Sequence, residues 1–390
     1  MPDGKGTGAM RAYLDCNATT PVCEAAREAW TRWSMVPANP SSTHAAGRAA
    51  AAAIEDAREV LLEAVGAPNG TVTFTSGATE AANLVLTPDM MMGRTALPHD
   101  RLLVGSTEHA CMLAGGRFPA DAVERLPVDA NGIIRADALR AALGRGGRCM
   151  VAVQMANNET GVMQDVAALA AMAHEAGGTF VCDAVQALDR VPIDMEALGA
   201  DFLIASSHKV GGPAGAGALI ARGPMLAPAP LLLGGGQEGG HRAGTENVAA
   251  IAGFAAAVRA RRGLDAADAI QARRDRFERE AVRLAPTITL HGAGTKRLPN
   301  TSAFSFAAVP AETAAIAFDL DGIAVSAGSA CASGTARSHV LAAMGAGEGA
   351  VRVSLGPDTT DAEIDAALAT LARLGERDAV KCDAMERRAA

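Results

Sequence analysis

Short apolar runs that recur between amphipathic stretches leave this chain few folds to choose from. Residues 72–75, 102–105, 150–155, 180–182, 202–205 and 218–221 have the length and apolar content of buried strands. Residues 48–65, 78–86 and 166–176 instead carry apolar side chains at three- and four-residue spacing, the period of a helix with one buried face. Strands that alternate with helices predict an α/β fold whose mostly parallel sheet is covered on both faces. Ligands of such sheets sit beyond the carboxyl ends of the strands, so chemistry is expected in the loops that follow them.

The rhythm changes toward the C-terminus. A long helical stretch over 247–284 follows the Gly-rich segment 234–244. After it come short strands at 287–290, 303–306, 323–326 and 351–354, with helices at 312–318 and 361–374. This predicts a large domain over 15–260 and a smaller α+β domain built from 1–14 and 261–390.

Composition narrows the function classes. A formal net charge of −8 lacks the clustered cations that a nucleic-acid surface needs, and two Trp, one Tyr and nine Phe are few for a base-stacking platform. The first fourteen residues have no apolar signal core, and the Ala-rich stretch 249–258 is about half a membrane span. The seven cysteines form no C-x-x-C pair, which argues against a zinc site or a disulfide framework and for a reduced, cytoplasmic protein.

Four places could carry chemistry. The 35 Lys and Arg residues include only Lys5, Lys209, Lys296 and Lys381. Lys209 alone follows a buried strand, and lysine, unlike arginine, can lose its proton and form a Schiff base. A catalytic amine and a solvated cation both fit it on context alone. Asp183 ends the apolar run 179–182, where a carboxylate either meets a buried cation such as a protonated pyridine nitrogen or caps a helix. The segment Thr75-Ser76-Gly77-Ala78-Thr79-Glu80 joins a strand to a helix, with small residues and free amides suited to a phosphate or to a plain cap. Cys331 stands in Ser326-Ala327-Gly328-Ser329-Ala330-Cys331, among small neighbours that leave a thiol accessible as a nucleophile.

These residues lie within motifs that resemble the cysteine desulfurases, in the class V aminotransferase family of fold-type I pyridoxal-phosphate enzymes. In order they are YLDCNATTP from Tyr13, NPSSTHAAGR from Asn39, FTSGATEAAN from Phe74, Glu108-His109 and NNETG from Asn157. DAVQ from Asp183, SSHKVGGPAGAG from Ser206, GGGQEGGHRAGTEN from Gly234, SAGSAC from Ser326 and VRVSLG from Val351 complete them. The resemblance is to the branch that serves nitrogenase and general iron–sulfur assembly. It implies a large domain with a mostly parallel seven-stranded sheet covered by helices, and a small α+β domain carrying the cysteine loop.

The resemblance further implies pyridoxal 5'-phosphate on Lys209, Asp183 at the ring nitrogen, Gln186 at the ring oxygen and His109 stacked on the ring. Ala78, Thr79, Ser206 and His208 would bind the phosphate, joined by Thr245 from a second subunit of a homodimer. Arg352 and Asn158 would hold the substrate carboxylate, Asn158 would also contact the cofactor, and Lys209 or His109 would move the Cα proton. Cys331 would take sulfur from L-cysteine, release L-alanine and pass the persulfide to a sulfur-acceptor or scaffold protein. No resident metal is implied, with Cys331 at most a transient iron–sulfur ligand. A related aminotransferase, a selenocysteine lyase and a non-catalytic assembly scaffold are the competing readings. One departure stands out: between Cys331 and Ser338 the chain reads ASGTAR, one residue shorter than is typical of relatives and without their acidic residue and Pro.

Overall fold

The computed structural model describes residues 12–328, 337–347 and 349–389. Its frame is a seven-stranded sheet. In chain order the strands are β1 (Thr71–Thr75), β2 (Arg101–Gly105), β3 (Val123–Leu126), β4 (Cys149–Gln154), β5 (Thr179–Asp183), β6 (Phe202–Ser206) and β7 (Gly217–Ala221). Across the sheet they run β1-β7-β6-β5-β4-β2-β3. Every pairing from β6 to β3 is parallel, while β7 is antiparallel to both β6 and β1.

Period-two alternation divides the strand residues between two cores. Val151, Val153, Phe180, Cys182, Leu203 and Ala205 point to one face, where the helices Glu24–Ser34, Ala45–Ala64 and Val248–Ala260 pack on one another. Met150, Ala152, Val181, Phe202 and Ile204 point to the other, against the helix Ala78–Val85. A strand covered on both sides has no polar face, which is why these runs read as continuously apolar. The edge strand β3 escapes that reading because its sequence, VERL, is half charged and only Leu126 is buried.

The expected helix over 247–284 is interrupted. Helix Val248–Ala260 ends at Arg261, whose φ of 49° is left-handed, and a short turn at Arg262–Asp265 precedes helix Ala267–Leu284. Asp189 makes the break, its carboxylate accepting from the amides of Gly263 at 2.9 Å and Leu264 at 3.4 Å. Gly263 has to be glycine for this approach, since a Cβ there would lie 2.1 Å from the Asp189 carbonyl oxygen.

A separate core gathers Ala12 and Leu14 with Phe277, Phe304, Phe318, Val351 and Leu371. Its four-stranded sheet places β8 (Thr289–Leu290), β9 (Thr301–Ser305), β11 (Val351–Ser354) and β10 (Ser326–Ala327) side by side in that order. The expected strand at 323–326 is in fact two: Ile323–Ala324 pairs with Ala12–Tyr13, and β10 pairs with β11. The expected helix at 361–374 continues as Asp361–Ala389. Replacing Gly263 by Ala is expected to cost about 1–3 kcal/mol, the range for an overpacked site, read as a lower urea midpoint with an unchanged slope.

Candidate active site

The carboxyl ends of the strands bring the predicted residues together through register. Gln154 at the end of β4 stands opposite Asp183 at the end of β5, which stands opposite Ile204 on β6. Ser206 on β6 and Thr75 on β1 both face Gly217 on β7. A Cβ on Gly217 would lie 2.5 Å from the backbone of Gly77, so glycine there lets the loop after β1 fold down over the sheet end. That loop delivers the helix Ala78–Val85, whose first internal bond runs from the Ala81 amide to the Gly77 carbonyl. The amides of Ala78 and Thr79 precede that bond and form the donor end of the helix.

These ends surround a cavity of about 540 Å³. Ala78, Thr79, His109, Asn158, Asp183, Gln186, Ser206, His208, Lys209 and Arg352 all line it. Thr245 does not; it is exposed and borders an adjoining depression with Ser76 and Gly215, which also line the cavity. Cys331 lies outside the described residues.

Each side chain is held by identifiable partners. The Lys209 ammonium donates to the carbonyls of Asn17 at 2.6 Å and Ala18 at 2.8 Å. Asp183 is 8% exposed, and burial raises its carboxyl above the usual range against the Val185 amide bond and the His109 and Lys209 charges. The His109 ring meets Cys111 at Nδ1, with the thiol sulfur at 3.0 Å and the amide nitrogen at 3.3 Å. His208 contacts the Thr19 hydroxyl at 3.0 Å, and burial, then the Lys209 and Arg190 charges, push its imidazole down to about 4. Arg352 donates to Asp15 at 2.6 Å, Ser326 Oγ at 2.9 Å and the Asn158 carbonyl at 3.1 Å. Its Nε is buried with no partner among the described residues.

Two residues without an assigned role in the sequence reading organise this cavity. Asn17, which also lines it, binds Ser354, Asn158, Thr301, Asn300, Gln186 and Lys209 at once. Arg190 lies behind it, bonded to Gln186 and to the carbonyls of Cys16 and Lys209. Asn17 lies within the YLDCNATTP motif, which does not say which member is the hub, and Arg190 lies four positions past Gln186, outside the DAVQ motif. Five of the six other histidines hold structure: His44 caps a helix, and His99, His174, His291 and His339 bond to Thr179, Asp201, Ser305 and the Glu108 carbonyl, while His241 is exposed.

The aminotransferase class-V family pattern matches residues 12–367. A cysteine desulfurase of Cereibacter sphaeroides is 42% identical over 381 residues, spanning 93% of this chain and 95% of that protein. The chain belongs to the cysteine desulfurases of the class-V aminotransferase family. An IscS-like cysteine desulfurase of Mycobacterium tuberculosis is 37% identical, across 92% of this chain and 95% of its own length. The solved structure of a NifS-like protein from Rickettsia africae superposes with a TM-score of 0.84 at 31% identity, covering 94% of this chain and 99% of that one.

Enzymes of this family depend on pyridoxal phosphate, and the donor set of this desulfurase-family cavity fits that cofactor. An amine, a buried carboxylate and an imidazole line the cavity together. The helix-terminal residues Ala78 and Thr79, with Ser206 and His208, line it too and suit an anion. The cofactor-free protein is expected to lose stability as pH falls from 6.5 to 4, because unfolded His208 takes up its proton near 6.5 and folded His208 only near 4. Urea titrations of His208→Gln should show this acid loss reduced by about 2–3 kcal/mol, discounted for partial exposure.

Proposed function

We propose that this desulfurase-family chain takes the sulfur of L-cysteine onto Cys331 and releases L-alanine. The observation that carries the reading is the convergence of Lys209, buried Asp183 and Arg352 on one cavity in a chain 42% identical to a cysteine desulfurase. Bound pyridoxal phosphate supplies an electron sink for the charge that develops at the substrate Cα. Lys209 and His109, on the cavity wall, are the groups able to move the Cα proton. Asp183 would hold the ring nitrogen, Gln186 the ring oxygen, and Ala78, Thr79, Ser206 and His208 the phosphate. Arg352 and Asn158 would orient the substrate carboxylate.

The Cys331 thiolate attacks the substrate sulfur. An S–S bond forms, the Cβ–S bond breaks, and Cβ takes a proton on the way to alanine. The net change is L-cysteine plus a thiol giving L-alanine plus a persulfide. Described residues on both sides of the Cys331 segment support its placement in the reaction. Ser326 bonds to the cavity residue Arg352 at 2.9 Å, and Ser338 bonds at 2.5 Å to Glu159, the neighbour of Asn158.

A homodimer belongs to the same reading. Thr245 is exposed beside the cavity rim and Leu233 is 84% exposed, as fits a surface that meets a second copy. The partners are then L-cysteine and a cytoplasmic sulfur acceptor for iron–sulfur assembly, with Cys331 a transient ligand at most. Among the described residues no helix is long and apolar enough to cross a membrane.

Lys209→Ala should lose both the visible absorption of the bound cofactor and alanine release. Cys331→Ala should keep the absorption and lose alanine release by at least about a hundredfold, the scale for a missing nucleophile. Full desulfurase activity in Cys331→Ala would overturn the assignment of the nucleophile, and transamination of alanine by the wild type would favour an aminotransferase.

A further inference from the structure

Arg190 is a buried cation with no carboxylate bonded to it among the described residues. It is 8% exposed and makes no ion pair among the described residues. The carboxylate of its sequence neighbour Asp189 acts on it only through space, its oxygens being bonded to the amides of Gly263 and Leu264. Cys16, whose carbonyl it binds, is no counterion either, because burial pushes that thiol up to about 12. Every acceptor of Arg190 is a carbonyl oxygen: the Gln186 backbone at 2.9 Å, the Gln186 side-chain oxygen, Cys16 at 3.2 Å and Lys209 at 3.4 Å. Leaving a guanidinium so enclosed is costly unless its fork is used for something specific.

Its use follows from donor and acceptor chemistry. A guanidinium only donates, so the Gln186 side-chain atom facing Arg190 has to be oxygen. A backbone carbonyl only accepts, so the atom 3.0 Å from the Asn17 oxygen has to be the Gln186 amide nitrogen. The same Asn17 oxygen receives the Lys209 ammonium at 2.6 Å. The amide is therefore fixed in one of its two orientations, with its nitrogen beside the Asn17 carbonyl that it shares with Lys209, in the cavity that all three residues line.

We propose that Arg190 is a positioning residue for the cofactor, setting Gln186 so that an N–H donor, backed by a buried positive charge, meets the ring oxygen of pyridoxal phosphate. This rests on the cofactor reading of the cavity. Other charges face the same region: Asp183 and Asp189 on the same segment, His208 beside Lys209, and Glu108 and His109 from the loop after β2. Arg352 on β11, paired with Asp15, completes them.

The test is a pH titration of the visible absorption of the lysine-bound cofactor in the holoenzyme. Arg190→Met should raise the midpoint by about one pH unit, a tenfold change in proton affinity. Losing the nearby cation favours the protonated form, and losing the N–H donor makes the ring oxygen more basic. Arg190→Lys keeps the charge and loses the fork, so a smaller rise is expected. In a Gln186→Ala background, Arg190→Met should add less than about half of its original shift, because the two residues act as one unit. Equal shifts in both backgrounds, or none in either, would overturn the proposal. If Arg190→Met does not fold, Arg190→Lys in the two backgrounds decides it by the same criterion. A wild-type protein with no visible band that Lys209→Ala abolishes would defeat the cofactor reading instead.

Discussion

The backbone carbonyl of Asn17 is the joint on which the cavity is built. It accepts from the Lys209 ammonium and the Gln186 amide, while the Asn17 side chain binds Asn158, Thr301 and Asn300. Those partners come from the carboxyl side of β4, from the turn after β5, from the turn after β6 and from the sheet of the second core. One buried residue thus aligns the lysine, the residues above Asp183 and the Arg352 side of the pocket. Because a buried amide with lost partners keeps its desolvation cost, the network holds a single arrangement rather than several.

Around that joint, burial sets the charges. The same enclosure that raises the Asp183 carboxyl and holds His208 neutral would strengthen any cation brought to Asp183 and any anion brought to the helix end at Ala78. Such a cavity would suit a ligand that carries both a cationic ring nitrogen and a phosphate. Arg352 is already committed to Asp15, Ser326 and the Asn158 carbonyl. A substrate carboxylate that takes a bidentate grip on it would share or displace the Asp15 bond.

Much of this was legible in the sequence, for physical reasons that also explain the remainder. Strands β4, β5 and β6 announce themselves because both faces are buried, and Lys209 stands out because arginine replaces lysine almost everywhere else. The break at Arg261 was hidden, since its cause is Asp189, over seventy positions away and visible only once the two segments touch. Splitting of the strand at 323–326 likewise depends on two different pairing partners. Arg190 reads as an ordinary surface cation until its burial is known. Thr245 cannot be placed in the cavity from one chain, because the fold leaves it exposed on the neighbouring surface.

Sulfur transfer from L-cysteine to Cys331, as proposed, is tested most directly with sulfur-labelled L-cysteine. After one turnover without an acceptor, peptide mapping by mass spectrometry should find one labelled sulfur on the peptide that contains Cys331. Label on another cysteine, or alanine released with no labelled peptide at all, would contradict the account.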